Sequence, residues 1–268
     1  MIKTIGPQKS IDVSHDFFMT VLHAALDKAY PNGAHEVQAT TFSGQGRAMN
    51  LMQQGGYYDV IWSGNSQLRN EELLAVQFPL FRGGLGVRGF VIRRDDLARF
   101  SQIKTLEDLK SVIFCQGRHW PDADILREAG LSVVEISSFD AMFSMVDLGR
   151  CDTLSLSIFE GAAELSAVQH QYPNLVFYSD TVIQYDLVMN FYVQRSNQQL
   201  ATKLMLALSG MLENGEYDEI LETHRLTSGI TDQWKKSGFS VIALQHQGGE
   251  DVLAQRQYYL PLVLNAIH

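Results

Sequence analysis

Short apolar runs alternate with segments of helical period along most of the chain. The apolar runs are bounded by Gly, Ser and Asp, which is typical of strands that end in turns. They predict strands at residues 2–5, 36–42, 60–62, 89–92, 112–115, 132–136, 153–156, 175–178 and 190–193. Because strands that alternate with helices are joined by crossovers, the pattern predicts an α/β fold with mostly parallel sheets flanked by helices.

Segments with an apolar residue at every third or fourth position predict the helices between these strands. Their starts are expected near Ser14, Arg47, Thr105, Pro121, Ser138, Phe159 and Gln198. Thr105 and Asp108 have the spacing of a capping box, in which each side chain satisfies a backbone N–H group of the other residue. The last helix is the longest, at about 198–225, and Gly215 interrupts it.

Two segments have the character of passages between two lobes. In 83–94 a glycine-rich turn leads into a strand, and in 186–193 a second strand runs back. We therefore expect a discontinuous first lobe of residues 1–87 and 192–268, with residues 88–191 inserted as the second lobe. The two linkers would act together as one hinge.

Composition narrows the classes of protein that this chain can represent. Its 268 residues suffice for about two domains. The 21 Lys and Arg residues are outnumbered by 30 Asp and Glu residues, so the net charge of −9 argues against a nucleic-acid partner. No apolar window reaches the roughly 18 residues that a membrane helix needs, so we expect no membrane insertion. The amino terminus lacks the regions of a secretory signal, which fits either a cytoplasmic protein or a chain whose signal was removed.

The cysteines and histidines lack the spacing of a metal site. Cys115 and Cys151 have no CxxC partner, and they are expected near opposite ends of neighbouring strands, so we predict two buried free thiols. The eight His residues are scattered, and we expect no metal and no cofactor. A GxGxxG match at 84–89 leads into a strand rather than a helix, which favours a hinge over a dinucleotide site.

Candidate binding residues follow from where parallel strands end and helices begin, because free N–H groups there favour polar and anionic groups. In the first lobe these residues are Gln8, Ser10, Phe42, Arg47, Trp62, Ser63 and Asn65, and in the second lobe they are Gln116, Arg118, Trp120 and Ser157.

The segment 116–122 combines a flexible Gly, an Arg and a Trp just before a helix. Arg118 suits bidentate contact with a carboxylate, and Trp120 can stack on a ring or a cation. Alternatively, Arg118 pairs with Asp122 or Asp124 on the surface and Trp120 fills the core.

Other candidate binding residues also have structural alternatives. Arg47 could be a solvated residue, Trp62 a core residue and Phe42 an exposed loop tip.

Five segments, in their order along the chain, resemble the bacterial extracellular solute-binding proteins of family 3. They are 46–60, 78–80, 101–109, 148–152 and 197–201. The resemblance implies the type II periplasmic binding protein fold, with two lobes that close on a small polar solute such as an amino acid or a small organic acid. It implies a periplasmic address after signal cleavage and delivery to an ABC permease. It also implies that Arg69, in the segment 66–69, holds the solute's carboxylate.

Two other functions are compatible with the same scaffold. The chain could be a sensory module whose closure signals to a membrane receptor, or it could resemble periplasmic dehydratases. An enzyme would need an acid or base in the cleft, and Glu160 is the candidate. We expect a monomeric receptor that is not an enzyme.

Overall fold

The computed structural model describes residues 1–9, 12–33, 35–41, 44–228, 239–246, 249–261 and 263–264. The strands are β1 (Ile2–Ile5), β2 (Val37–Thr40), β3 (Ile61–Gly64), β4 (Leu73–Ala75), β5 (Val87–Arg93), β6 (Ile113–Gly117), β7 (Ser132–Ile136), β8 (Thr153–Ser157), β9 (Leu175–Gln184), β10 (Met189–Gln194) and β11 (Ser240–Ala243). The helices are α1 (Val13–Ala29), α2 (Gln45–Gln54), α3 (Gln67–Glu72), α4 (Leu97–Ser101), α5 (Leu106–Leu109), α6 (Pro121–Glu128), α7 (Phe139–Asp147), α8 (Gly161–Val168), α9 (Gln198–Glu213), α10 (Glu216–Thr223) and α11 (Glu250–Ala254). Short 3-10 turns occupy Gly84–Gly86, Arg94–Asp96 and Gln255–Tyr258.

The first lobe contains two small sheets. β1 pairs with β2 in parallel, and β10 lies between β3 and β4 and runs antiparallel to both. The backbone N–H groups of Asp59 and Val60 donate to the carbonyl oxygen of Lys3, at 2.8 and 3.2 Å, which joins β1 to the start of β3. The apolar face of α1 is fully buried and packs against α9.

The second lobe is built on a six-stranded sheet with the order β11-β9-β5-β8-β6-β7. β6 runs parallel to β7 and β8, whereas β5 runs antiparallel to β8 and β9. Helices α6, α7 and α8 pack against this sheet. The predicted α/β architecture of two lobes flanked by helices is confirmed, and the strand that enters the second lobe runs against its neighbours.

The two chain segments that connect the lobes lie side by side. The backbone N–H of Tyr185 donates to the carbonyl oxygen of Gly86 at 3.1 Å. A Cβ at Gly86 would lie 1.9 Å from the carbonyl oxygen of Tyr185, so only glycine fits this approach. Asn65, directly after β3, holds the second of these segments, because the N–H of Val188 donates to Oδ1 of Asn65 at 2.9 Å. The turn at Gly84–Gly86 leads directly into β5, as expected of a hinge.

The lobe boundaries at 87/88 and 191/192 stay a prediction. Two strands do not respect these boundaries. β10, at Met189–Gln194, spans the boundary at 191/192, and β11 lies in the chain assigned to the first lobe but pairs with β9 in the sheet of the second lobe. β11 belongs to a carboxy-terminal segment that also contacts the hinge. Arg256 donates to both carboxylate oxygens of Asp186, at 3.1 and 2.9 Å, and Nε of Arg82 donates to the carbonyl oxygen of Tyr258 at 2.7 Å.

The prediction of two free thiols is wrong, because Cys115 and Cys151 form a disulfide with Cα atoms 5.7 Å apart. β6 and β8 are direct neighbours with Phe114 opposite Thr153. This register brings the chain just before β8 beside the start of β6, within a few residues of Cys115, rather than to the opposite end of the sheet. Both cysteines are buried in the core of the second lobe.

Some helix ends also differ from the predicted ones. Asp12, not Ser14, caps α1 by accepting from the N–H of His15 at 2.9 Å. The capping box of Thr105 and Asp108 is present as predicted. Gly215 adopts a left-handed conformation with φ of 84° and separates α9 from α10. No helix in the described part of the chain is both long and apolar enough to cross a membrane.

Candidate functional site

A cavity of about 370 Å³ lies between the two lobes. The first lobe contributes the amino-terminal turns of α1 and α2 and part of β3 to its walls, and the second lobe contributes the β6–α6 loop, the end of β7 and α8. Small-molecule sites have volumes of roughly 300–1,000 Å³ and are mostly apolar with a few convergent polar groups. The size and position of this cavity therefore suit a small solute.

Aromatic side chains from both lobes line the cavity. Trp62 of β3 packs against Phe18, with ring centroids 5.2 Å apart, and its ring is also approached by the edge of His15. In the second lobe Trp120 lies 6.1 Å from Phe139, again between centroids. All these rings border the cavity. They provide apolar walls against which the aliphatic part of a solute can pack.

A buried ion pair crosses the second lobe's side of the cavity. Arg88 of β5 is 2% exposed, and its Nη2 donates to Oδ1 of Asp122 in the first turn of α6. The hydroxyl of Tyr185 donates to the same carboxylate oxygen at 2.6 Å. The neighbouring carboxylate keeps the Arg88 guanidinium charged, and its pKa lies above the ordinary arginine value. Arg88 and Asp122 both line the cavity.

A second ion pair links the two lobes across the cavity. Glu164 of α8 accepts from Nζ of Lys9 at 2.7 Å and from the N–H and hydroxyl of Ser14 at 3.1 and 2.5 Å. The acceptor thus lies on the second lobe, and its donors lie just before α1 and in its first turn. Nζ of Lys9 is also 4.4 Å from the centroid of Phe139. These contacts hold the lobes together on one side of the cavity.

Glu160 borders the same region and is half-buried. Burial raises the pKa of its carboxyl to about 7, Arg88 acts in the opposite direction, and the carboxylates of Glu164 and Asp122 raise the pKa further. Near neutral pH this carboxyl is therefore divided between its protonated and ionised forms.

The raised pKa of Glu160 predicts a pH-dependent stability. The folded chain holds this proton more tightly than the unfolded chain, in which the pKa is near 4.5. The resulting stabilisation is complete below about pH 4.5 and is lost as the pH rises through 7, with an upper bound of about 3 kcal/mol. In urea unfolding, we expect the free energy of unfolding to fall less between about pH 5 and pH 8 for Glu160→Gln than for the wild type. Glu222→Gln, at an exposed position of α10, is the control. Equal pH dependence in all three proteins would contradict this assignment.

Arg69 has a structural role in this arrangement. Its Nη1 donates to the carbonyl oxygen of Gly64 at 2.6 Å, and its Nη2 donates to Oε1 of Gln45 at 2.9 Å and to the carbonyl oxygen of His119 at 2.5 Å. His119 lies in the β6–α6 loop, so Arg69 joins the first lobe to the second. Arg69 itself is not among the residues that border the cavity.

The structure brings some of the predicted binding residues together and separates others. Five line the cavity: Gln8, Arg47, Trp62, Arg118 and Trp120. Five are buried outside its lining: Ser63, Asn65, Arg69, Gln116 and Ser157. Ser10 and Phe42 lie outside the described residues.

Hydrogen bonds explain three of the buried positions. Oδ1 of Asn65 accepts from the N–H of Val188 at the hinge. Nε2 of Gln116 donates to the carbonyl oxygen of Ser155 at 3.1 Å. The hydroxyl of Ser157 donates to the carbonyl oxygen of Gly84 at 3.0 Å. These side chains therefore support the backbone around the cavity.

The alternative pairing of Arg118 does not occur among the described residues. Asp122 pairs with Arg88, and Asp124 pairs with Arg127 at 3.1 Å. Arg118 is exposed at the cavity's edge. Trp120 is half-buried and covers Gly117, where a Cβ would lie 2.3 Å from the indole.

Sequence reasoning missed five of the eight Lys, Arg, Asp and Glu residues that line the cavity, namely Lys9, Asp12, Arg88, Asp122 and Glu164. One signal could have indicated Arg88, because a charged residue within the apolar run 87–92 must find a partner when the strand is buried. No comparable pattern marks the others. In the described part of the chain, no group of three or more His, Cys, Asp or Glu side chains could hold a metal ion.

Solved structures with a similar fold include proteins bound to amino acids. An ancestral arginine-binding protein bound to arginine is 19% identical, with a TM-score of 0.62 over 83% of this chain and 97% of that one. A periplasmic His/Glu/Gln/Arg/opine family-binding protein from Silicibacter pomeroyi, in complex with lysine, is 15% identical, with a TM-score of 0.61 over 84% and 96%. The chain has the type II periplasmic binding protein fold.

A third structure with this fold is a histidine kinase sensor domain with similarity to periplasmic binding proteins. It is 16% identical, with a TM-score of 0.64 over 84% of this chain and 95% of the other. No family model and no curated protein matches the sequence. At these identities the likeness concerns the fold, which confirms the fold that the resemblance in sequence implied.

Proposed function

We propose that this protein is a receptor that captures a small polar solute, an amino acid or a small organic acid, in the cavity between its lobes. Closure of the lobes about the paired hinge segments would bury the solute, and the loaded protein would deliver it to an ABC permease. We propose the periplasm as its location, with a signal peptide removed on export. The protein would act by binding and release, without catalysis.

The cavity's chemistry is the observation that carries this proposal. The cavity has aromatic walls and is bordered by side chains of both charges. The basic ones include Lys9 and Arg88, and the acidic ones include Asp122, Glu160 and Glu164. Such a lining complements a solute that carries charge at one end and apolar groups at the other. Groups from both lobes border the cavity, so a bound solute would stabilise the closed form, and its differential affinity for the closed form would set how far closure proceeds.

Two further observations support the details. Two of the structures with this fold are an arginine-binding protein bound to arginine and a His/Glu/Gln/Arg/opine family-binding protein in complex with lysine, which favours an amino acid as the solute. The disulfide between Cys115 and Cys151 favours an oxidising compartment, because disulfides are rare in reducing cytosol. Together they favour a periplasmic receptor for amino acids.

A sensory module is the second candidate, favoured by the histidine kinase sensor domain among the structures with this fold. The binding step would be the same, and the closed form would contact a membrane receptor instead of a permease. Co-purification with the membrane proteins of a native host would distinguish the two partners.

A solute screen tests the proposal. We expect one or more L-amino acids or small organic acids to raise the melting temperature, because a ligand at about 100 times its Kd adds about 2.7 kcal/mol to the stability. Isothermal titration should then give a single site, and chromatography should recover the solute unchanged. Trp120→Ala should weaken this binding, whereas Tyr57→Ala, at an exposed tyrosine outside the cavity lining, should leave it unchanged. A solute that is consumed, or a complete screen without stabilisation, would reject the proposal.

A further inference from the structure

The guanidinium of Arg69, which the resemblance in sequence assigns to the solute's carboxylate, is already engaged with the protein. All three hydrogen bonds given above for Arg69 end on protein oxygens, two of them in the first lobe and one in the second. Releasing this side chain for a solute would break a link between the lobes. This arrangement favours another cation at the cavity as the carboxylate anchor.

We propose that Arg88 is the anchor for the carboxylate of the bound solute, through the guanidinium nitrogens that Asp122 leaves free. This inference rests on the proposed function, since it assigns the charged group of the solute to a named side chain. It limits the solute to molecules that carry a carboxylate, such as an amino acid or an organic acid, and it excludes sugars and simple polyamines.

The hydrogen bonds of Arg88 carry this inference. Its Nη2 donates to Asp122, but its Nε and Nη1 are buried and have no hydrogen-bond partner among the described residues. A guanidinium has five N–H donors, and a buried charged donor without a partner is destabilising. Arg88 borders the cavity, so a carboxylate seated there could accept from it with a charge-assisted bond.

The contacts of Arg88 fix the position of its guanidinium beside the cavity. Asp122 fixes one end of the guanidinium, and the hydroxyl of Tyr185 in turn donates to Asp122. Arg88 lies on β5, which leads directly from the hinge into the second lobe's sheet. A carboxylate bound there would contact the strand whose position relative to the first lobe changes when the lobes close.

A direct test observes the Nε–H resonance of Arg88 by NMR in protein labelled with 15N at arginine, with Arg88→Lys used for assignment. The probe is sodium acetate, matched against sodium chloride for ionic strength and against acetamide for shape. We expect acetate to shift the Arg88 resonance saturably, with little shift from acetamide and little change at Arg69. Acetate that leaves Arg88 unshifted, or that shifts Arg69 instead, would overturn the anchor.

Variants extend the test to the solute found in the screen. Arg88→Lys keeps the charge but loses the planar donors, and we expect at least a tenfold loss of affinity. Arg69→Lys should change affinity less, and circular dichroism checks that both variants fold. An affinity that is equal in Arg88→Lys and wild type would also overturn the anchor.

The anchor and the proposed function fail in distinguishable ways. A saturable acetate shift at Arg88 in a protein that no amino acid and no other organic acid of the screen stabilises would reject the proposed solutes and support the anchor. A solute that binds tightly without moving the Arg88 resonance would reject the anchor and support the receptor.

Discussion

Replacing Asp122 with Ala is expected to lower the free energy of unfolding by about 3–5 kcal/mol, because removing one member of a buried ion pair leaves the other charge uncompensated. Arg88 is 2% exposed and would lose the carboxylate that its Nη2 contacts. The hydroxyl of Tyr185 would lose its acceptor in the same step. Urea unfolding followed by circular dichroism measures the change.

Asp124→Ala is the matched control for this prediction. Asp124 lies on the same helix, two positions further along, and pairs with Arg127 at 3.1 Å, but its side chain is 79% exposed. An exposed pair of this kind contributes at most about 1 kcal/mol. The double variant Arg88→Met with Asp122→Leu should recover much of the loss, because apolar side chains can replace a buried pair with little change in stability. If Asp122→Ala and Asp124→Ala destabilise the protein equally, the buried pair does not have this role.

The strands were the most predictable part of the fold, because each buried strand appears in the sequence as a short apolar run. β1 and β7 match their predicted bounds. β9 was predicted only over 175–178 and continues to Gln184, because Asp180 and Thr181 interrupt the apolar run while the pairing with β5 and β11 continues. β4 and β11 were missed, and both are short, at three and four residues.

The binding site was predictable only where it lies at or just after the carboxyl ends of strands. The rule that ligands bind where parallel strands end led to Trp62, Arg118 and Trp120, which all border the cavity. The same rule does not reach Arg88 near the start of β5 or Glu164 within α8. The roles of Arg88 and Glu164 depend on partners that are distant in the sequence, and a local sequence pattern does not indicate such contacts.

Ser14 has a role that its local sequence pattern does not indicate. The sequence favoured it as the cap of α1, because Ser is a common residue at helix starts. The cap is Asp12, and the hydroxyl of Ser14 donates across the cleft to Glu164. Ser14 thus forms a contact between the lobes, although its position in the sequence indicated only the start of a helix.

Reduction of the disulfide between Cys115 and Cys151 is expected to lower the free energy of unfolding by about 4 kcal/mol. The two cysteines are separated by 36 positions, and closing a loop of that length restricts the unfolded chain by about this amount in the chain-entropy model. Thermal unfolding of wild type with and without dithiothreitol measures the effect, because reduction removes the cross-link but keeps both side chains. Alkylation of the unreduced, denatured chain should modify neither cysteine.

Cys115→Ala with Cys151→Ala serves as the control, because dithiothreitol should not change the stability of a chain that has no cysteine. The disulfide should also affect binding, since Cys115 directly precedes Gln116 and Gly117 in β6, and Trp120 follows in the loop that borders the cavity. We therefore expect the reduced wild type to bind the solute more weakly at temperatures where it remains folded. Two alkylated cysteines in the unreduced wild type, or equal melting temperatures with and without reductant, would show that the second lobe is held together without this bond.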